Sequence, residues 1–118
     1  MNTRQEAESL FAQGSEEFED GNWKKAIELL QRSIDLDCES MADAVFMIGT
    51  AQYQSGNSAD AKKNLAQCIE TDHEYTEAYV NLGLIYGKEG DYVESNRLLE
   101  HAVKLGSQYA KQVMQQLL

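Results

Sequence analysis

Residues 14–34 read GSEEFEDGNWKKAIELLQRSI, residues 49–69 read GTAQYQSGNSADAKKNLAQCI, and residues 83–103 read GLIYGKEGDYVESNRLLEHAV. The three align without a gap, and their first glycines (Gly14, Gly49, Gly83) stand 35 and then 34 residues apart. Seven residues further on comes a second glycine (Gly21, Gly56, Gly90), followed by Asn22, Asn57 or Asp91. Glycine before Asn or Asp is turn chemistry, because glycine accepts positive φ and the next side chain can bond nearby backbone amides. A period of this length is the signature of stacked helical units.

On both sides of each turn the apolar spacing is helical. Tyr79, Leu82, Gly83 and Tyr86 fall at i, i+3, i+4 and i+7, and Leu98, Leu99, Ala102, Val103 and Leu105 mark one stripe of the next segment. The spacing predicts antiparallel helix pairs over 3–20 with 23–36, 41–55 with 58–71, and 75–89 with 92–105. A last short helix, about 107–117, places Ala110, Val113, Met114, Leu117 and Leu118 on one side and Gln and Lys on the other, the pattern of a cap on the end of a stack.

Helix pairs of this period, with small residues where the helices cross, resemble the tetratricopeptide repeat over about residues 7–109. Gly14, Gly49 and Gly83 match that family's small residue in the first helix; Ala26 and Ala61 match its alanine early in the second; Ser33, Cys68 and Ala102 match its small residue further along. Trp23 and Tyr92 match the aromatic that opens the second helix. Ser95 replaces an expected alanine, Ser58 the aromatic and Thr71 a leucine. Cys38, His73 or Ser107 replaces the closing proline, and Met41 is inserted between the first two units. The resemblance implies an all-α, right-handed solenoid of antiparallel helix pairs forming one domain over 1–118. Its repeats are expected at about 7–40, 42–75 and 76–109, followed by the capping helix.

Composition narrows the function. The chain has 118 residues, enough for one domain with a core and too few for two. Twenty acidic against ten basic residues give a net charge of −10, which disfavours nucleic acid and anionic membranes as partners. No apolar run approaches a membrane span, and Met1 to Gln13 is too polar for a signal sequence. Cys38 and Cys68 lack CxxC spacing, which suits a reducing, cytoplasmic setting.

Catalytic and metal-binding patterns are weak. Asp35, Asp37 and Glu39 mimic the start of a calcium loop, but Ser40 and Phe46 stand where its glycine and bidentate glutamate belong. His73 and His101 lack ligand spacing to either cysteine and read as exposed helix-end residues. Gly83, Gly87 and Gly90 precede no Lys-Ser/Thr, so no phosphate loop forms. Cys68 reads as a buried filler, Cys38 as an exposed loop thiol open to oxidation, and Trp23 as a core aromatic. No enzyme activity, metal or cofactor is expected.

In the resembled family the first helix of each pair lines a concave groove that receives a partner segment. Carried over, the groove would display Glu8, Phe11, Ala12, Ser15, Phe18 and Glu19, then Asp43, Phe46, Met47, Thr50, Tyr53 and Gln54, then Glu77, Val80, Asn81, Leu84 and Lys88. Each unit puts an acid (Glu8, Asp43, Glu77) one turn before a bulky apolar residue (Phe11, Phe46, Val80). The family members that grip the carboxy-terminal carboxylate of heat-shock chaperones use Lys, Asn and Arg at sites that here read Phe11, Ser15, Met47, Glu77 and Asn81, and Glu77 would repel a carboxylate. The expected partner is therefore a protein or peptide, apolar with basic flanks, held by an adaptor, scaffold or co-chaperone. Packing of Phe11, Phe46 and Tyr53 between neighbouring helices is the structural alternative. Rival readings of the whole are a self-assembling homo-oligomer and a regulatory piece of a longer chain. Residues 1–40 carry ten acids and four bases, so the acidic end is the first unit.

Overall fold

The computed structural model describes residues 2–117, which form seven helices and no strand. They are α1 (Thr3–Glu19), α2 (Trp23–Asp35), α3 (Met41–Gln54), α4 (Ser58–Thr71), α5 (Thr76–Lys88), α6 (Tyr92–Lys104) and α7 (Gln108–Leu117). Local chemistry starts several of them. Asn2 makes a capping box with Gln5 at α1, Asn57 accepts from the Asp60 amide at α4, and Asp91 accepts from the Glu94 amide at α6. Asn22 instead donates its side-chain amide to Glu17 at 2.7 Å. The turn between α3 and α4 needs Gly56, whose φ of 89° is strained for any residue with a Cβ.

Successive helices pack in pairs, α1 on α2, α3 on α4 and α5 on α6, and the pairs stack to a body 53 Å long and 26 by 21 Å across. Close approach within each pair rests on the repeated glycine. A Cβ at Gly14 would lie 2.6 Å from Leu30 Cγ, and one at Gly49 or Gly83 would lie 3.0 Å from the Cγ of Leu65 or Leu99. In the second helix of each pair the small residues Ala26, Ser33, Ala61, Cys68 and Ala102 are fully buried. Two core clusters result, one around Ala7, Leu30 and Ile48, the other running from Val45 through Leu65 and Leu99 to Ala110, and Ile34 packs against both. In α7, Ala110 is buried, Val113 and Met114 are half-buried against the second cluster, and Ser107 caps the helix by accepting from the Ala110 amide at 3.0 Å. The side chain of Leu117 and all of Leu118, assigned to the same cap face, lie outside the described residues.

Two sequence expectations need correction. Cys38 is buried, not an exposed loop thiol. Asp37 adopts φ 63°, turning the chain back so that the Cys38 amide donates to the Ser33 carbonyl at 3.1 Å and the thiol tucks beside the Ser33 hydroxyl. Trp23 is only half-buried, edge-on to Phe18 with ring centroids 5.5 Å apart, because it opens α2 at the rim of the stack. His101 is exposed near the end of α6, as read from the sequence, and its ring stacks face to face on Tyr79 at 4.2 Å.

Burial also pushes the Cys68 thiol up to about 12, helped by the nearby Asp72, Asp43 and Glu77 carboxylates. Both cysteines are thus expected to react slowly with iodoacetamide in native protein at neutral pH and fast in urea. Rapid native labelling of Cys38, read by mass spectrometry, would place that turn in solvent.

Candidate functional site

Three adjoining concavities lie at the carboxy-terminal half of the groove, and a separate open one of about 520 Å³ lies at the α1–α2 turn among Glu17, Asn22, Trp23, Lys24 and Lys25. A cleft of about 580 Å³ runs between α5 and the α6–α7 connection, walled by Thr76, Glu77, Val80, Asn81 and Leu84 on one side and residues 105–109 on the other. A smaller hollow of about 130 Å³ lies between α3 and α5, lined by Thr50, Tyr53, Gln54, Leu65, Asn81, Leu84 and Ile85. A third, of about 200 Å³, is bounded by Leu84, Gly87, Lys88, Tyr92, Ser95, Leu99 and Val113. Leu84 borders all three, so they meet along one face of α5.

The three repeated acids have different fates. Glu8 accepts the backbone amide of Glu39 at 2.8 Å, tying the first helix pair to the chain that enters the second, and Arg4 pairs with the Glu39 carboxylate beside it. Asp43 accepts the Tyr75 hydroxyl, so it ties the second pair to the third. Burial, with this carboxylate second, raises the Tyr75 pKa and keeps the hydroxyl a donor. Glu77 is exposed in the large cleft, and among the described residues no hydrogen bond or ion pair holds it. The reason is the next connection. Leu105, Gly106 and Ser107 turn tightly into α7 and leave space where the earlier units make their tie.

The apolar candidates divide the same way. Phe11, Phe18 and Met47 pack against the first core cluster, and Phe46 lies under the Tyr75 ring with centroids 5.1 Å apart. Ser15 is half-buried in the first unit. Val80 is not displayed as a groove side chain should be: only 7% of its surface is exposed, because α5 is overlaid by neighbours on both sides, and it forms cleft floor. Thr50 accepts from the Asn81 side-chain amide at 3.2 Å, and Tyr53 lies beneath the Lys88 ammonium at 5.8 Å. The structure therefore gathers Thr50, Tyr53, Glu77, Val80, Asn81 and Leu84 into connected hollows, while Glu8, Phe11, Ser15 and Phe18 stand apart in the first unit.

Sequence reading missed three parts of this surface. Tyr75, which occupies Asp43 and covers Phe46, precedes its helix and carried no periodic signal. Residues 105–109, one wall of the large cleft, belong to a turn and the start of a helix read only as a cap. Gly87 had a signal in the alignment, because it stands where the first two units carry Phe18 and Tyr53. Among the described residues no group of three or more His, Cys, Asp or Glu side chains could hold a metal ion, and no helix is long and apolar enough to cross a membrane.

Comparison with known proteins agrees with this architecture. The family model described as the second ARM domain of tetratricopeptide repeat protein 21 matches residues 12–90, well over half of the chain, and a tetratricopeptide-repeat model matches residues 76–108. The Arabidopsis OM64 TPR domain superposes with a TM-score of 0.89 at 19% identity, covering 98% of this chain and 97% of that one. The crystal structure of MamA gives 0.80 at 27% identity, with 93% of this chain aligned to 63% of that chain. The second TPR of Spaghetti (RPAP3), bound to the HSP90 peptide SRMEEVD, gives 0.78 at 25% identity, covering 86% of this chain and 94% of that one. No curated protein matches the sequence.

Proposed function

Because the chain belongs to the tetratricopeptide-repeat family, we propose that it is a non-enzymatic protein-interaction module that holds a partner segment in the carboxy-terminal half of its concave groove. The observation that carries this reading is the large α5–α7 cleft, where among the described residues Glu77 is the one charged side chain and is unpaired, over a floor of Val80, Leu84 and Leu105. Its volume is within the range of about 300–1,000 Å³ usual for ligand sites. An acid above an apolar floor suits a segment that pairs a Leu, Met or Phe with a Lys or Arg. The relative solved with SRMEEVD holds a peptide rich in acids. Here Glu77 would repel such a tail, and of the clamp positions only Asn81 keeps a matching side chain, so an acidic chaperone tail is a poor ligand. Adaptor or scaffold work in the cytoplasm, where two free thiols persist, fits this reading.

Affinity capture from native lysate with wild type and two variants tests it. Leu84→Ala removes the side chain common to all three hollows and is expected to weaken the captured complex about tenfold or more while the circular dichroism stays helical. Glu77→Lys is expected to slow association, with the deficit shrinking as salt screens the charge. Asp43→Lys is expected instead to lower thermal stability, because Asp43 is already held by Tyr75. If both Leu84→Ala and Glu77→Lys bind as wild type, the partner docks on another surface.

A further inference from the structure

The inference rests on the groove reading above and names what the bound segment must carry. In the first repeat the ring of Phe18, late in α1, meets the ring of Trp23 at the start of α2, edge to face at 5.5 Å. The equivalent pair is Tyr53 and Ser58 in the second repeat, and Gly87 and Tyr92 in the third. The third repeat thus keeps the ring on the second helix and lacks the one on the first. Two independent observations mark the gap. Tyr92 is 65% exposed, although a large aromatic at this place in the first repeat is half-buried against its partner. Beside it the hollow of about 200 Å³ has walls of Leu84, Leu99 and Val113, and Gly87, Lys88, Tyr92 and Ser95 complete its border.

We propose that this hollow is an anchor socket for a single aromatic or large aliphatic side chain of the bound segment, which stacks edge-on to Tyr92 as Phe18 does to Trp23. The occupant follows from comparing the repeats, since the third lacks the ring that Phe18 supplies in the first, and Leu84, Leu99 and Val113 give the hollow hydrocarbon walls. Leu84 joins the socket to the cleft that holds Glu77, so one extended segment can place a bulky apolar residue here and a basic residue there. Continuity of the two hollows converts a general apolar preference into a two-point spacing requirement. Lys88 at the rim adds a constraint, because a basic residue immediately beside the anchor would be repelled.

The test is selection of binders from a displayed library of random linear peptides on the whole domain, followed by methyl and aromatic NMR with one selected peptide. Selected peptides are expected to share one Phe, Tyr, Trp or Leu, and changing that residue to Ala should cost about tenfold or more in affinity. The Tyr92 ring and the Val113 methyls should shift on binding. Tyr92→Ala, an exposed change with little bearing on folding, should lose most of the preference for a ring. Gly87→Phe should fill the socket from within and abolish the preference. Its Cβ meets the Ser95 hydroxyl at 3.0 Å, so a Gly87→Phe, Ser95→Ala pair serves if the single variant misfolds. Binders with no shared bulky residue, or shifts confined to Thr50 and Tyr53, overturn the socket and leave the groove reading standing. A library that yields no binder overturns both. Cross-relaxation between the Tyr92 ring and Leu117 or Leu118 in free protein, or Tyr92 shifts that grow with protein concentration, would show the socket occupied by the chain itself or by a second copy, and either result overturns the proposal.

Discussion

Gly14→Leu is expected to lower the thermal stability of the domain sharply. A single Cβ at that position already lies 2.6 and 2.8 Å from Leu30 Cγ and Cδ2, and 3.2 Å from the Leu30 backbone nitrogen. Leu30 is itself fully buried, in the cluster that includes Ala7, Ala26 and Ile48, so its retreat would press on packed neighbours. Overpacking of this kind typically costs about 1–3 kcal/mol and sometimes more, against a total near 5–15 kcal/mol. A four-carbon side chain here would have to part α1 from α2. The alanine series separates this steric effect from helix propensity. Gly→Ala inside a helix gains about 1 kcal/mol, which a tight contact must outweigh. Urea titration should therefore rank Gly14→Ala as destabilising and leave Gly49→Ala and Gly83→Ala nearer to neutral, where the closest side-chain atom is 3.0 Å away. Cys68→Ala should be mild, losing one buried sulfur and its long contact to the Ala42 carbonyl at 3.4 Å. Tolerance of Gly14→Leu with a normal melt would disprove the helix register.

Deletion from Ser107 onward is expected to lower the melting temperature markedly or to cause aggregation. The deletion removes Ala110, Val113 and Met114 from the second core cluster and uncovers the faces of Leu98, Leu99 and Ala102, which are at most 2% exposed in the intact stack. At about 25 cal/mol per Å² of apolar surface, several such side chains amount to several kcal/mol. Solenoid ends require a covering element because each unit buries its apolar face only against its neighbour. The same deletion takes away Gln108 and Tyr109 from the wall of the large cleft, so partner capture should fall with stability. A melting curve that does not move would make α7 a dispensable tail.

The unequal values of the three repeated acids explain why the groove was only partly readable. Glu8, Asp43 and Glu77 occupy one register and are indistinguishable in the alignment. Their roles diverge through residues that come from elsewhere in the chain: the Glu39 amide takes the first, the Tyr75 hydroxyl takes the second, and the short turn at Gly106 leaves the third in solvent. The same holds for Phe46 and Val80. Their spacing names a helix face, but whether that face meets solvent depends on the ring of Tyr75 over one and on the neighbours of α5 over the other.

Sequence alone determined the helix pairs, because their information is local. Apolar spacing, capping residues and turn glycines act within a few residues of themselves, and three copies in phase make the pattern redundant. The crossing glycines were legible for the same reason, since their repetition marks a shared steric demand. Tertiary structure decided which of those glycines is tightest, that Cys38 turns inward, and which acid stays unpaired. Each of these depends on a distance between segments far apart in the chain, set by how consecutive pairs stack and by a turn one residue shorter or longer. It also decided where the groove is open, because a cleft is the space left over after every side chain has been packed.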